Sequence, residues 1–211
     1  MVNPAGLCAD VELERHIVGS KSVMRAKAEF SKAKSTFDSS IKDAEELLAH
    51  CNALGHPLPQ KAEVFKRAGL VMALTAWETY VEDRVLELVR ARVSPEPSHA
   101  EKFMLGKLEE ELKRFHNPAA EKTRKIFLDY LDVDVTTGWK WNGVDVLKAR
   151  EKLDALVKKR GDAVHRSKSA SGGVSAPHLV TKDDLEKAIR FLKELVLATE
   201  RSLEPVVEVK E

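Results

Sequence analysis

Apolar positions recur every three or four residues over long stretches of this chain, the period of a helix with one buried face. Val23, Ala26, Phe30, Ala33, Phe37, Ile41, Ala44, Leu48 and Cys51 form the first such stripe, which stops at Gly55-His56-Pro57. A second long helix is predicted over residues 60–93 on Val64, Ala68, Val71, Leu74, Val81, Val85 and Leu88. It ends before Ser94-Pro95-Glu96-Pro97, because a residue ahead of proline is pushed out of helical geometry. Two shorter helices follow, over 98–115 with Phe103, Leu108 and Leu112, and over 119–131 with Ile126, Phe127 and Tyr130, separated by Asn117-Pro118. The pattern then breaks into a loop over 133–143 that carries Trp139 and Trp141 and is too short and irregular for a sheet. A fifth helix, over 144–165, presents Val146, Leu147, Leu153, Leu156, Val157 and Val164 as its apolar side. Residues 167–177 read as a flexible loop by composition. Thr181 with Asp184 three residues on resembles a capping box, and it opens a last helix on Leu185, Ile189, Leu192, Val196 and Leu203. With no internal repeat and no strand pattern, the expected fold is all-α: one helical bundle built on two long antiparallel helices, with shorter helices packed around them and no sheet. The expected division is an N-terminal segment 1–19, a helical domain 20–204 and a short charged tail 205–211.

Composition narrows the functional classes. A chain of 211 residues with 43% hydrophobic content can bury a sizeable core without disulfide or metal staples. Cys8 and Cys51 are too few for a disulfide framework and have no ligand spacing, so a zinc site is disfavoured and a reducing, cytoplasmic location is expected. No apolar run approaches the roughly 18–20 residues of a membrane span, and residues 1–9 lack the basic start and apolar stretch of a signal peptide. No cofactor or metal is expected, since there is no Gly-rich phosphate loop, no His-Glu-x-x-His and no cysteine pair.

Lys+Arg 35 against Asp+Glu 34 gives a net charge of only +1, so any argument for nucleic acid has to be local. Residues 148–168 hold eight Lys or Arg against Glu151, Asp154 and Asp162, a surplus of +5. Such a cluster can contact several phosphates, and the ordinary alternative is a solvated helix face with Lys-Glu pairs. Within it lies Arg160-Gly161-Asp162-Ala163-Val164-His165. Arginine is a fixed cation that grips phosphate oxygens in a fork and histidine titrates near neutrality, which together suit phosphodiester cleavage. Spacing alone is weak: a second Arg-His pair, Arg92 and His99, spans the Ser94–Pro97 break and is a chance match. Five residues along a helix also turn roughly 140°, so the two side chains converge only if the helix end deforms or Arg160 reaches around.

Arg160 to Arg166 (RGDAVHR), at the end of an amphipathic helix and followed by a polar loop, resembles the Arg-x4-His motif of the HEPN superfamily of helical ribonucleases. Phe115-His116-Asn117-Pro118 ahead of a short helix ending Phe127-Leu128-Asp129-Tyr130 is similar to the RiboL-PSP-type branch of that superfamily. So are Trp139-Lys140-Trp141-Asn142-Gly143 and Ala76-Trp77-Glu78-Thr79-Tyr80-Val81-Glu82. Gly161 follows the arginine where many members carry Asn, Asp or His, and the polar Asp162 comes one step later. The resemblance implies a metal-independent endoribonuclease acting as a homodimer through its motif-bearing helices, with Arg160 and His165 catalytic. In that reading the substrate's own 2′-hydroxyl attacks in a cleft between two subunits. Asp162 and Glu78 are candidate supporting residues, and Lys158, Lys159, Arg166 and Lys168 candidate RNA contacts. A toxin or defence role, with an antitoxin or regulatory partner, is what many relatives suggest. The alternative is a noncatalytic helical module that binds RNA, nucleotide or a partner protein.

For individual residues the ordinary readings are structural. Trp77 is expected in the core, Trp139 and Trp141 against the end of the bundle, and Glu78 as an exposed helix carboxylate. His116, like His16, His50, His56 and His99, has no partner at a useful spacing, and His178 is expected at the surface after the polar loop.

Overall fold

The computed structural model describes residues 31–55, 57–165 and 180–208. Six helices make up the bundle: α1 (Lys32–Asn52), α2 (Ala62–Arg92), α3 (His99–Leu112), α4 (Ala120–Leu131), α5 (Val146–His165) and α6 (Lys182–Glu208). A short 3-10 turn, Val135–Gly138, lies between α4 and α5. Among the described residues there is no strand, only an isolated antiparallel bridge between Trp141 and Val144. The all-α bundle expected from spacing is therefore the fold.

Helices α1 and α2 form the long antiparallel pair. Ser31 donates to Glu87 at 3.1 Å, Phe37 meets Tyr80 edge-on at 6.0 Å, and His50 stacks on Phe65 at 6.1 Å, so ascending positions on one helix meet descending positions on the other. The Ser31 hydroxyl also accepts from the Lys34 amide and caps α1. Helix α2 is the central post and packs against all five other helices. Leu70, Leu74, Trp77, Val81, Val85 and Leu88 are buried along it, with Ala73, Ala76 and Gly69 letting neighbours approach. At Gly69 an added Cβ would lie 2.7 Å from a Leu185 methyl, so the absence of a side chain there sets how near α6 comes to α2.

The three tryptophans pack against the bundle. Trp77 and Trp139 are fully buried and meet edge-to-face at 6.1 Å; Trp141 packs on Phe191 at 5.6 Å. The Trp139 indole donates to Thr199 Oγ1 at 3.0 Å, which satisfies its one polar group inside the core. The capping box at α6 is present in full, with Thr181 N–H on Asp184 at 2.9 Å and Asp184 N–H on the Thr181 hydroxyl at 3.0 Å.

Several local expectations change. Val64 of α2 and Phe103 of α3, read as positions on the apolar stripes, are exposed. Leu147 and Val164, read as part of the apolar side of α5, are exposed, because the inward stripe runs Ala149, Leu153, Leu156, Ala163 instead. The last helix also continues past Pro205 to Glu208, one missing backbone donor near its end being tolerated. Val23, Ala26 and Phe30 of the first stripe, the 1–19 segment and the polar loop over 167–177 lie outside the described residues.

Candidate active site

The inward stripe of α5 has a step of three or four residues, and the position between Leu156 and Ala163 is Arg160. A cation placed on a helix's buried face has to find acceptors, since an unpaired buried charge is expensive. Arg160 finds them on two other elements. Its Nη1 donates to Glu78 Oε2 on α2 at 2.7 Å and to Asn117 Oδ1 in the α3–α4 connection at 2.6 Å, and Nη2 donates to Thr75 Oγ1 at 3.3 Å. The pair is largely enclosed, with 19% of the Arg160 side chain and 12% of the Glu78 side chain exposed. Glu78 is thus not the exposed helix carboxylate that its surroundings in sequence suggest, because α5 and the α3–α4 connection close over this part of α2.

The α3–α4 connection is held to the core at several points. Pro118 O accepts from the Trp77 indole at 3.0 Å and from the Thr123 hydroxyl at 3.4 Å. Ala119, at the N-cap of α4, offers no side-chain acceptor, and Asp154 on α5 supplies one by accepting from the Ala120 amide at 2.8 Å. Lys122 donates to His116 O at 2.6 Å, its ammonium 4.8 Å from the centre of the Phe115 ring. Asn117 has φ 54°, a left-handed conformation that asparagine adopts more readily than most residues.

This turn brings in a residue that sequence reasoning passed over. His116 Nδ1 lies 3.5 Å from Glu78 Oε1, so it has a partner, 38 positions away in the chain and therefore invisible to local spacing. The imidazole is otherwise open, its side chain 70% exposed. A motif of Phe115-His116-Asn117-Pro118 treated as a family marker is thus part of the site itself. Glu82, one turn along α2 from Glu78, is pushed up to about 7, first by burial and then by the negative charges of Glu78 and Asp83, against the pull of His116 and Lys122.

The remaining expected site residues are distributed as follows. His165 is the last residue of α5, and its side chain, with Arg166 and Lys168, lies outside the described residues. Gly161 does not interrupt α5, which stays helical to His165. Asp162 is half-buried on the last turn, and Lys158 is exposed. Lys159 pairs with Asp184 at 2.6 Å, and this contact and Thr181 hold the Asp184 carboxyl at about 2 although burial raises it. Other members of the basic run also meet partners: Lys148 pairs with Asp145 at 3.1 Å, Arg150 lies 3.8 Å from Asp134, and Lys152 covers the Phe191 ring at 4.8 Å. Among the described residues no three His, Cys, Asp or Glu side chains group closely enough to hold a metal ion, and no helix is long and apolar enough to cross a membrane.

Arg160, near the end of α5, thus pairs with a glutamate whose other oxygen faces His116, within a bundle that is all-helical among the described residues. The chain belongs to the RiboL-PSP-HEPN family, whose model matches residues 38–205. HEPN domains are all-α and commonly act as ribonucleases. No curated protein and no solved structure matches the chain.

Proposed function

We propose that the protein is a metal-independent endoribonuclease that uses Arg160 and His165, working as a cytoplasmic homodimer through its α5 helices, in a toxin or defence setting. The observation that carries this reading is the gathering of Arg160 by Glu78, Asn117 and Thr75, one turn and a half before His165 closes the same helix. An arginine used only to solubilise a helix would point to water. This one faces the bundle and is fixed in direction by acceptors from two other elements. Oriented in this way it can receive a phosphate at small cost in side-chain entropy. The 2′-hydroxyl of RNA attacks its own phosphorus, one group accepts the hydroxyl proton, another protonates the leaving 5′-oxygen, and Arg160 offsets the charge that builds on phosphorus. The products carry a 2′,3′-cyclic phosphate and a 5′-hydroxyl.

One observation favours the second reading, a noncatalytic module. Arg160 already has a carboxylate at 2.7 Å, and an incoming phosphate must share the guanidinium with Glu78. Alanine variants separate the two readings. His165→Ala should abolish cleavage of a generic RNA while leaving melting temperature and RNA binding intact. Arg160→Ala should also stop cleavage and lower the slope of log affinity against log salt by about one unit, the signature of one phosphate contact. A well-folded His165→Ala protein that cleaves as fast as wild type would end the catalytic assignment, and a wild type that binds RNA without cleaving any would establish the binding module.

A further inference from the structure

We propose that His116 is a second proton-transfer residue of the Arg160 site, the general acid that protonates the leaving 5′-oxygen. The inference rests on the ribonuclease reading and deepens it. A phosphodiester transfer without metal needs a base and an acid, and the Arg160–His165 motif supplies one imidazole per subunit, so one half of the proposed dimer holds both only if a second imidazole lies beside Arg160. The geometry supplies another.

Glu78 has two carboxylate oxygens and uses them differently: Oε2 receives Arg160 at 2.7 Å, and Oε1 faces His116 Nδ1 at 3.5 Å. One carboxylate therefore positions both the phosphate-binding cation and an imidazole. Asn117, the next residue in the chain, holds the same guanidinium, so the backbone that carries His116 is tied to Arg160 as well. With Nδ1 turned toward Glu78, Nε2 is the nitrogen presented to the open side, where the ring is 70% exposed. An imidazole backed by a carboxylate on one nitrogen and free to exchange a proton at the other is the arrangement that acid–base enzymes use. The supports are rigid ones, namely the Trp77 and Lys122 bonds to Pro118 O and His116 O. An ordinary surface histidine has neither a buried carboxylate at its back nor a clamped backbone.

The proton balance closes. His165 takes the proton of the 2′-hydroxyl as its oxygen forms the new bond to phosphorus. The bond from phosphorus to the 5′-oxygen breaks, and that oxygen leaves with the proton of His116. Each ring ends in the other's starting state, and exchange with water restores both. Glu78 acts as a positioning residue throughout.

The test compares two substrates for the full-length wild type, His116→Ala, His116→Gln and His165→Ala: a generic RNA, and a ribonucleoside 3′-(4-nitrophenyl phosphate) whose leaving group departs without being protonated. Both His116 variants should lose at least about 100-fold in turnover of RNA but less than about 10-fold on the nitrophenyl ester, while His165→Ala falls on both, because the base is needed for either. Melting temperatures and RNA affinity should stay at wild-type values. Either His116 variant turning over RNA within about three-fold of wild type, or losing equally on the two substrates, would overturn the assignment. Cleavage by wild type that is lost in His165→Ala keeps the ribonuclease reading whatever His116 does, whereas a wild type inactive on both substrates overturns the reading and this inference together.

Discussion

Helix α2 carries two arginine–glutamate contacts about two turns apart that are alike in length and burial and differ in what lies beyond the pair. Toward the end of the helix, Arg84 reaches Glu200 of α6 at 2.8 Å; nearer the middle, Glu78 receives Arg160 of α5 at 2.7 Å. Burial does not separate them, since the four side chains are 8% and 19% exposed in the first pair and 12% and 19% in the second. What differs is the second oxygen of each carboxylate. Glu200 Oε1 accepts from the Tyr80 hydroxyl at 2.8 Å, and burial, followed by the charge of Glu200, pushes that phenol well above its usual range. Arg84 also lies 3.4 Å from Glu87, which in turn accepts from Ser31 and from the Lys32 and Ala33 amides at the start of α1. That network ends in groups that do not titrate near neutrality and ties three helices together. Glu78 Oε1 instead faces an exposed imidazole. A buried ion pair thus says little about its purpose, and the next group along says more.

The comparison can be broken most sharply at its structural end. Arg84→Ala leaves Glu200 without its cation in a covered position, which should lower stability by about 3 kcal/mol and the melting temperature by roughly 6–12 °C. Turnover of RNA per folded molecule should not change. Thermal melts and turnover measured side by side on Arg84→Ala and Arg160→Ala test the contrast, and a pair of variants with the same profile would erase it.

Glu82 sharpens the other end. Its carboxyl is raised from 4.5 to about 7, so it withholds stability from the folded state as pH rises through that window, whereas a neutral glutamine does not. Discounted for solvent at a half-exposed position, Glu82→Gln should be about 1 kcal/mol more stable than wild type near pH 8, the difference fading by about pH 4. Denaturant titrations at the two pH values check this, and a gain that is equal at both would remove Glu82 from the electrostatics of the site.

The smallest effect is expected at Gly161. A Cβ there meets nothing within 4 Å, and the residue is helical with no positive φ, so Gly161→Ala should add about 0.5–1 kcal/mol through helix propensity alone. Cleavage should be unchanged. Lost activity in a more stable Gly161→Ala protein would show that bending at this point matters to the Arg160 site.

The helices were legible because burying one face imposes a period, and the period is written in residue types. Arg160 was legible through the Arg-x4-His motif it begins, whereas its place on the inward stripe of Ala149, Leu153, Leu156 and Ala163 emerged only in the fold. The rest of the site depends on tertiary approach, for which local spacing has no signal. Glu78 lies 82 positions from Arg160, and His116 acquires its partner only because Trp77 and Asp154 draw the α3–α4 connection onto the bundle. The surplus of charge over residues 148–168 is read differently once the chain is folded, for the residues described. Summed along the chain it looks like an open basic face, yet Asp184 and Asp134 come from other elements to meet Lys159 and Arg150. Clustering in sequence measures charge density before folding has brought in the opposing sign.

Asn117 carries two demands at once, and they select different residues. Its φ of 54° favours glycine, asparagine or aspartate, while its hydrogen bond to Arg160 requires a side-chain oxygen at short reach. Glycine meets the first and fails the second; glutamine has the oxygen but the wrong backbone preference. Aspartate meets both but would place a second negative charge on a guanidinium that already answers to Glu78. Mutational tolerance at this one exposed turn position is therefore narrower than in much of the interior, where one aliphatic side chain can often stand in for another.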